Sequence, residues 1–527
     1  MKRRSFLRTA GTASAAAAAG VFGILKFPRG ARAAGWGAWP SDRLDLRLPD
    51  DRIASNVLEV QINGGLSPWD TFYTVPDWND DLRYVHQFSP EAGDFGDPPQ
   101  LNRDERFAAC NYDGEPLWVE SGISDGDGVP LFLGPWTVPF RNRPDILSRM
   151  RVVVQRHDNV AHEGANPLCF TGDRLGAPRL AGIGTAIQRY YSENPEAGGG
   201  ARTTPYSYIL FPGAVGFNTQ AASAVGFHPG SARPLGVVVA PNSPLTALLA
   251  RTGPVDPASF DRAITYYRQQ YEARFRVGGL GSPTRSAERA NYEFADFARR
   301  SAPDLQAILT NEQFAPIGAP MPPECGGAAG TGLDMPRMQA RLAANLLTRE
   351  DSQARYVLWV DTGINPTPTG GHDSHTFHSA FASQNITHTL AALAEIIGDG
   401  PGQINLDTTM IVLNTEFGRT PHRQLQAGQT GTNHWPWGYI TLFIGGPVRD
   451  PGCYGRIGYL PGSEPEMSED GYAVDYVTPA ENRIMTMQAM GIYPFSSQSF
   501  AVGDVRGGVD DEIAAIERVR GTYLGIS

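Results

Sequence analysis

Residues 356–376 read YVLWVDTGINPTPTGGHDSHT, and the first five of them decide the fold. Tyr356-Val-Leu-Trp-Val360 is a short apolar run, aromatic and β-branched, leading into a polar stretch with paired glycines. A run of that length without polar alternation predicts a strand buried on both faces. The same arrangement recurs along the chain. Residues 57–63 run into Gly64-Gly65, residues 151–155 into a His/Asp/Asn-rich turn, and residues 409–413 into Glu416-Phe-Gly-Arg419. Residues 439–444 begin where Asn433-His434-Trp435-Pro436 stops.

Between these runs, apolar residues recur at spacings of three and four over roughly 257–275, 285–313, 335–349, 377–397 and 480–490, which predicts helices. Strands alternating with helices define an α/β protein with a mostly parallel central sheet. In such sheets ligands gather beyond the carboxyl ends of the strands. The Gly/Pro/Ala-rich stretch 195–256 is expected to be irregular, 448–478 a surface loop, and 77–150 an insertion over the sheet edge. No internal repeat or linker divides residues 34–527, so they are expected to form a single domain.

Residues 1–33 have the form of an export signal: MKRRSFLR, an alanine-rich apolar run to about Leu25, then Ala31-Arg32-Ala33 as a small-x-small cleavage site. Arg3-Arg4-Ser5-Phe6-Leu7 resembles the twin-arginine signal, which sends folded proteins across the inner membrane. The expected location is therefore periplasmic or secreted, with the twin-arginine translocation machinery as a partner. The apolar run is too short and too rich in Ala and Gly for a stable membrane span.

These 33 residues carry seven basic and no acidic side chains, so without them the formal charge moves from −11 to −18. That balance argues against nucleic acid as a partner, because neutralising phosphates supplies most of such affinity. Both lysines, Lys2 and Lys26, lie in the same segment. Beyond it there is no Gly-Lys-Ser/Thr phosphate loop and no lysine for a Schiff base. Cys110, Cys169, Cys325 and Cys453 are too widely spaced for a CxxC motif, and their pairing is left open.

Six of the ten histidines fall between 372 and 434. If Gly370-Gly371 turns the chain and the next residues are extended, Asp373 and His375 project to one side and can share a cation, while His372 and Ser374 face away. With His434 they make two imidazoles and a carboxylate, a set suited to a divalent metal ion, zinc foremost, with manganese, calcium or iron as alternatives. Glu416 could complete that site or begin a second one. Arg419 could bind a substrate oxyanion bidentately. Upstream, Ser67, Asp70 and Thr71 sit in a glycine-opened loop, and His157 and His162 follow the strand 151–155.

Four segments stand in order behind the signal: GGLSPWDTF (64–72), HDNVAHEGANPLCFTGD (157–173), GHDSH (371–375) and TEFGRTP with TNHWP (415–421, 432–436). Together they resemble the exported proteins of domain-of-unknown-function family 1501, placed in the alkaline phosphatase and sulfatase superfamily. The resemblance implies an alkaline phosphatase-like α/β/α sandwich with metal ions at the strand ends. It also implies hydrolysis of a small anionic phosphate or sulfate ester, and metal binding by Asp373, His375, Glu416 and His434. Three departures stand out. Phe417 occupies the histidine place of the superfamily's Asp-His-Gly. Asn63-Gly64-Gly65 replaces a metal-binding aspartate, leaving Asp70 as a substitute. The nucleophile's place falls near His162 with no Cys-x-Pro-Ser-Arg, so formylglycine chemistry is not expected.

The resulting expectation is an exported metal-dependent hydrolase. Attack would come from water activated by the cation or from His162 or Ser67 as nucleophile, and Arg419 would offset developing charge. The alternatives are a non-catalytic envelope binding or assembly protein that keeps the fold, and a redox iron site on the same ligands.

Overall fold

The strands in chain order are β1 Asn56–Ile62, β2 Val119–Ser124, β3 Pro130–Leu133, β4 Met150–Gln155, β5 Tyr208–Pro212, β6 Leu235–Val239, β7 Tyr356–Asp361, β8 Thr409–Thr415, β9 Gly418–Arg419, β10 His434–Trp435, β11 Tyr439–Gly445, β12 Gly452–Tyr454, β13 Arg456–Ile457 and β14 Ala473–Asp475. Eight of them build one sheet in the order β12-β4-β11-β8-β1-β7-β5-β6. β11 is antiparallel to both its neighbours, and every other neighbouring pair is parallel. The computed structural model describes residues 35–76, 114–116, 118–174, 181–194, 197, 207–212, 234–239, 256–278, 289, 292–293, 296, 334–349, 354–364, 371–373, 375, 378–421, 432–458, 471–497 and 499–526.

All five runs read from the sequence are strands of this sheet, and β1, β7, β8 and β11 are buried along their whole length. Side chains alternate between the two faces. Leu58, Val60 and Ile62 of β1 pack into one apolar cluster with Met338, Leu342 and Leu346 of helix α4 (Met335–Thr348) and Ile386, Leu390 and Leu393 of α5 (His378–Ile396). Val57, on the other face, packs with Ile187 of α2 (Ile183–Glu193) and Ile484 and Met487 of α6 (Pro479–Ala489). Helices thus cover both faces of the sheet. The second face also buries Glu59, whose carboxylate accepts from Arg483 of α6 at 2.8 Å, Tyr356 Oη at 2.7 Å and Asn414 at 3.0 Å.

The longest helices that form where none was expected are α1 (His162–Thr171), which contains Pro167, and α2; short ones also form at Val138–Arg141, Pro144–Leu147 and Glu512–Glu517. The expected helix at 257–275 is α3 (Pro257–Gly278). The one at 285–313 lies almost wholly outside the described residues. The expectation for 195–256 needs correction, since β5 and β6 are short apolar runs that extend the sheet within that Gly/Pro-rich composition. So does that for 448–478, where β12 joins the sheet edge and β13 pairs with β14. In 77–150, the β2–β3 hairpin reaches the β12 edge through Gly126 N and Gly455 O, 3.3 Å apart. Residues 36–527 cluster as one unit, distinct from residues 1–35. Among the described residues no helix is long and apolar enough to cross a membrane.

Candidate metal centre

β8, β1 and β7 are adjacent and parallel, so the segments that follow them leave the sheet at one edge. Glu416 follows β8, and Gly64-Gly65 follow β1. Residues 371–373, after β7 in the chain, lie over Gly64. Contact there leaves no room for a side chain: a Cβ on Gly64 would lie 2.3 Å from the backbone Asp373 N, and one on Gly65 2.6 Å from the side-chain Arg419 Cδ. Both glycines also have positive φ, 117° and 111°, which L side chains rarely adopt.

β11 runs the opposite way and therefore begins at this same edge. Just before it, β10 pairs with β9 in antiparallel register, His434 opposite Arg419, which brings His434 over the Glu416 turn. β4 delivers the last wall, because the turn after it ends in α1, whose first residue is His162.

Asp373 is the hub. Its Oδ1 lies 3.0 Å from His434 Nε2, 3.3 Å from His375 Nε2 and 3.2 Å from the Arg419 guanidinium; its Oδ2 lies 3.3 Å from His162 Nε2. The Nε2 atoms of His375 and His434 are 3.1 Å apart. Side-chain exposure is 37% for Asp373, 34% for His375, 32% for His162 and 12% for His434, so the centre opens to solvent on one side. Among the described residues, His162, Asp373 and His434 form the group whose ligand atoms all lie within 4.8 Å of one another.

The far nitrogens explain the arrangement. His162 Nδ1 lies 2.6 Å from Glu416 Oε1, and His434 Nδ1 2.7 Å from the Val160 carbonyl. An acceptor oxygen on Nδ1 fixes the tautomer that turns the Nε2 lone pair outward, the arrangement that supports histidine ligands of metals. Burial holds His434 below the usual histidine range. A neutral imidazole has one N–H. With Val160 O on one nitrogen and Asp373 Oδ1 on the other, one oxygen must then face a lone pair unless a cation sits between. Ligands at about 2.0–2.1 Å on a tetrahedral ion stand roughly 3.3 Å from each other. The separations of 3.0 Å and 3.3 Å from Asp373 to His434 and His162 are close to that.

For His162, burial alone would lower the pKa, but hydrogen bonds and charge from Asp373 and Glu416 overcome it and raise the pKa to about 10. The same contacts, with His375, His434 and Arg419, outweigh burial at Asp373 and hold its carboxyl far below the usual carboxylate range. His157 behaves differently. Its Nδ1 accepts from Asn159 N at 3.0 Å and its Nε2 donates to Glu416 O at 2.6 Å, and burial pushes its pKa down to about 4. It is a neutral brace under Glu416. Glu416 is fully buried, accepts Gly64 N at 3.0 Å on Oε1, and has no protein partner on Oε2.

Asp373, His375, Glu416 and His434 therefore meet, although Glu416 reaches the centre through His162. His162, expected as a nucleophile, lies with Asp373 and His434 in the group that could hold a metal ion. Three of the expected residues are enclosed or lie outside the group. Ser67 Oγ donates to Asp70 Oδ2 at 2.6 Å and both are buried, so Ser67 offers no open hydroxyl and Asp70 stands outside the ligand group. Arg419 is fully buried and donates to Thr432 Oγ1, Thr432 O, Gly64 O and Asp373, so it braces the wall instead of presenting a free edge to an oxyanion. His372 faces away, as expected, with Nε2 2.8 Å from the buried Asp361. The His378 side chain and Ser374 lie outside the described residues. That His162 would join Asp373 and His434, and His157 lie under Glu416, was not expected. The only sequence signal for these two was a histidine-rich turn ending a strand at the same edge.

A mostly parallel α/β sheet carrying a cluster of imidazoles and carboxylates at the carboxyl ends of its strands defines a site-bearing α/β protein. Residues 54–470 match the family described as Protein of unknown function (DUF1501), and the chain belongs to that family. No curated protein matches this chain.

Proposed function

We propose that the protein is an exported metal-dependent hydrolase of phosphate or sulfate esters, with a divalent cation, zinc foremost, held by His162, Asp373 and His434. One observation carries this reading: a half-buried imidazole, His434, has an oxygen on each nitrogen, and a second, His162, has its far nitrogen on a buried carboxylate. When bound, the cation would polarise an ester oxygen and lower the pKa of water to about 7. The chain's own groups do the rest. Glu416 and the Val160 carbonyl orient the imidazoles, and Arg419 holds Asp373. His375 adds a nitrogen on the open side. An alkaline phosphatase-like sandwich is supported by helices on both sheet faces and by the site's position at the strand ends. Periplasmic or secreted location through the twin-arginine pathway rests on Arg3-Arg4 and the run behind it.

A second reading, a non-catalytic envelope binding protein that keeps the fold, is favoured by the enclosure of Arg419, which leaves that guanidinium unavailable to an ester anion. Elemental analysis of protein exported by its native pathway, followed by assays with 4-nitrophenyl phosphate, bis(4-nitrophenyl) phosphate and 4-nitrophenyl sulfate, separates the two. Turnover of one ester, lost in a folded Asp373→Ala variant, is the expected result. A metal-loaded protein inert toward all three would sink the hydrolase reading in favour of the second.

A further inference from the structure

Phe417 directly follows Glu416 and is fully buried against His162 and His434, two of the three imidazoles that Asp373 gathers. Its ring stacks on His434, with centroids 4.0 Å apart and planes 22° from parallel, and meets the His162 ring at 5.1 Å and 53°. The two imidazoles meet each other edge to face at 4.5 Å and 75°. Phe417 is itself held in place: its carbonyl accepts from Leu66 N at 3.3 Å and Thr415 Oγ1 at 2.9 Å. Its ring closes on Gly65, where an added Cβ would lie 3.3 Å from Phe417 Cδ2.

A hydrogen bond at Nδ1 fixes one point of an imidazole but leaves its plane free to tilt. A flat ring pressed on one face removes that freedom, and it keeps water from the protein side of the ring. His162 and His434 each have both restraints: an acceptor on Nδ1 and the Phe417 ring beside them. An aromatic face is also favoured beside an imidazole that carries positive charge, whether from a proton or from a bound cation. An aliphatic side chain fills similar space without a plane.

We propose that Phe417 is a positioning residue of the centre: it sets the planes of His434 and His162 so that both Nε2 atoms converge on Asp373. The proposal rests on the reading that these imidazoles hold a cation, and the test separates the two. Metal-free full-length protein carrying isotope-labelled histidine is compared with Phe417→Leu, which loses the plate, and Phe417→Tyr, which keeps it. Histidine side-chain NMR should show the His434 ring protons shifted upfield in wild type and in Phe417→Tyr, with the shift lost in Phe417→Leu. Zinc affinity, read by chelator competition, should fall about 10–100-fold in Phe417→Leu and stay within the same decade in Phe417→Tyr. Retained zinc affinity in Phe417→Leu, or His434 protons unmoved by it, would overturn the proposal. Zinc binding absent from all three proteins, with the upfield shift still lost in Phe417→Leu, would overturn the metal reading and leave the positioning role standing.

Discussion

Asp373 Oδ1 and His434 Nε2 lie 3.0 Å apart although 61 residues separate them in the chain. Two independent constraints produce that contact. The backbone of His372 and Asp373 is pressed onto Gly64, and the β9–β10 ribbon registers His434 against Arg419, whose guanidinium also reaches Asp373 Oδ1 at 3.2 Å.

Cation affinity should rise with pH. Without metal, His162 keeps its second proton until about pH 10, because Asp373 and Glu416 outweigh its burial. A cation on Nε2 must displace that proton, so affinity gains about tenfold per pH unit below that value if one proton leaves per ion. Zinc competition titrations at pH 6, 7 and 8 check this, and a flat profile would remove His162 from the ligand set.

The same group makes the metal-free fold less stable in alkali. Its folded pKa, about 10, lies above the ordinary histidine value of 6.5. Its contribution is therefore complete below pH 6.5 and disappears as pH rises through about 10. Urea midpoints of chelator-treated protein at pH 6.5 and 9.5 should fall accordingly, with saturating zinc suppressing the difference.

Asp373→Asn removes the charge that faces three imidazoles and the enclosed Arg419. Because Asp373 is over a third exposed, the expected loss in the metal-free protein is modest, about 1–2 kcal/mol by denaturant unfolding. Zinc affinity should drop by more than about 100-fold, since a direct ligand is lost. Unchanged affinity would move the centre elsewhere.

Gly64→Ala introduces a Cβ 2.3 Å from the Asp373 backbone at a φ of 117°. Neither the sheet nor the 371–375 segment can yield without displacing Asp373. The variant should lose about 1–3 kcal/mol and weaken zinc binding at once. Gly402→Ala, at φ 78° with open space around it, should share the backbone strain but leave zinc binding intact.

Arg483→Met should cost about 3–5 kcal/mol, because it strands the fully buried Glu59 carboxylate that Arg483 holds at 2.8 Å. Adding Glu59→Leu should recover most of that loss in a double-mutant cycle. Arg483 lies beyond residue 470, where the family match ends, so a chain stopped there should fail to fold cooperatively.

Five strands and four of the five expected helices could be read from the sequence, because their signal is local. Each is an uninterrupted apolar run or a three-four repeat. β5 and β6 carry the same signal, but Gly/Pro-rich surroundings obscured it. α1 was hidden by Gly164 and Pro167, residues that normally weaken a helix. In the centre, clustering alone grouped Asp373, His375 and His434, which the fold brings within 3.3 Å of one another. The enclosure of Arg419, Ser67 and Asp70 was not legible, because an arginine or hydroxyl at a strand end looks alike whether it is open or enclosed.

By itself, the sequence determined the α/β class and which polar groups leave the sheet at one edge, since apolar periodicity dictates strands and strands dictate direction. Only the tertiary structure decided which of those groups meet. The strand order puts β4 two places from β8, β11 enters reversed, and the glycine contacts fold one turn onto another. Side-chain burial and hydrogen-bond partners across such distances are properties of packing, and no local pattern encodes them.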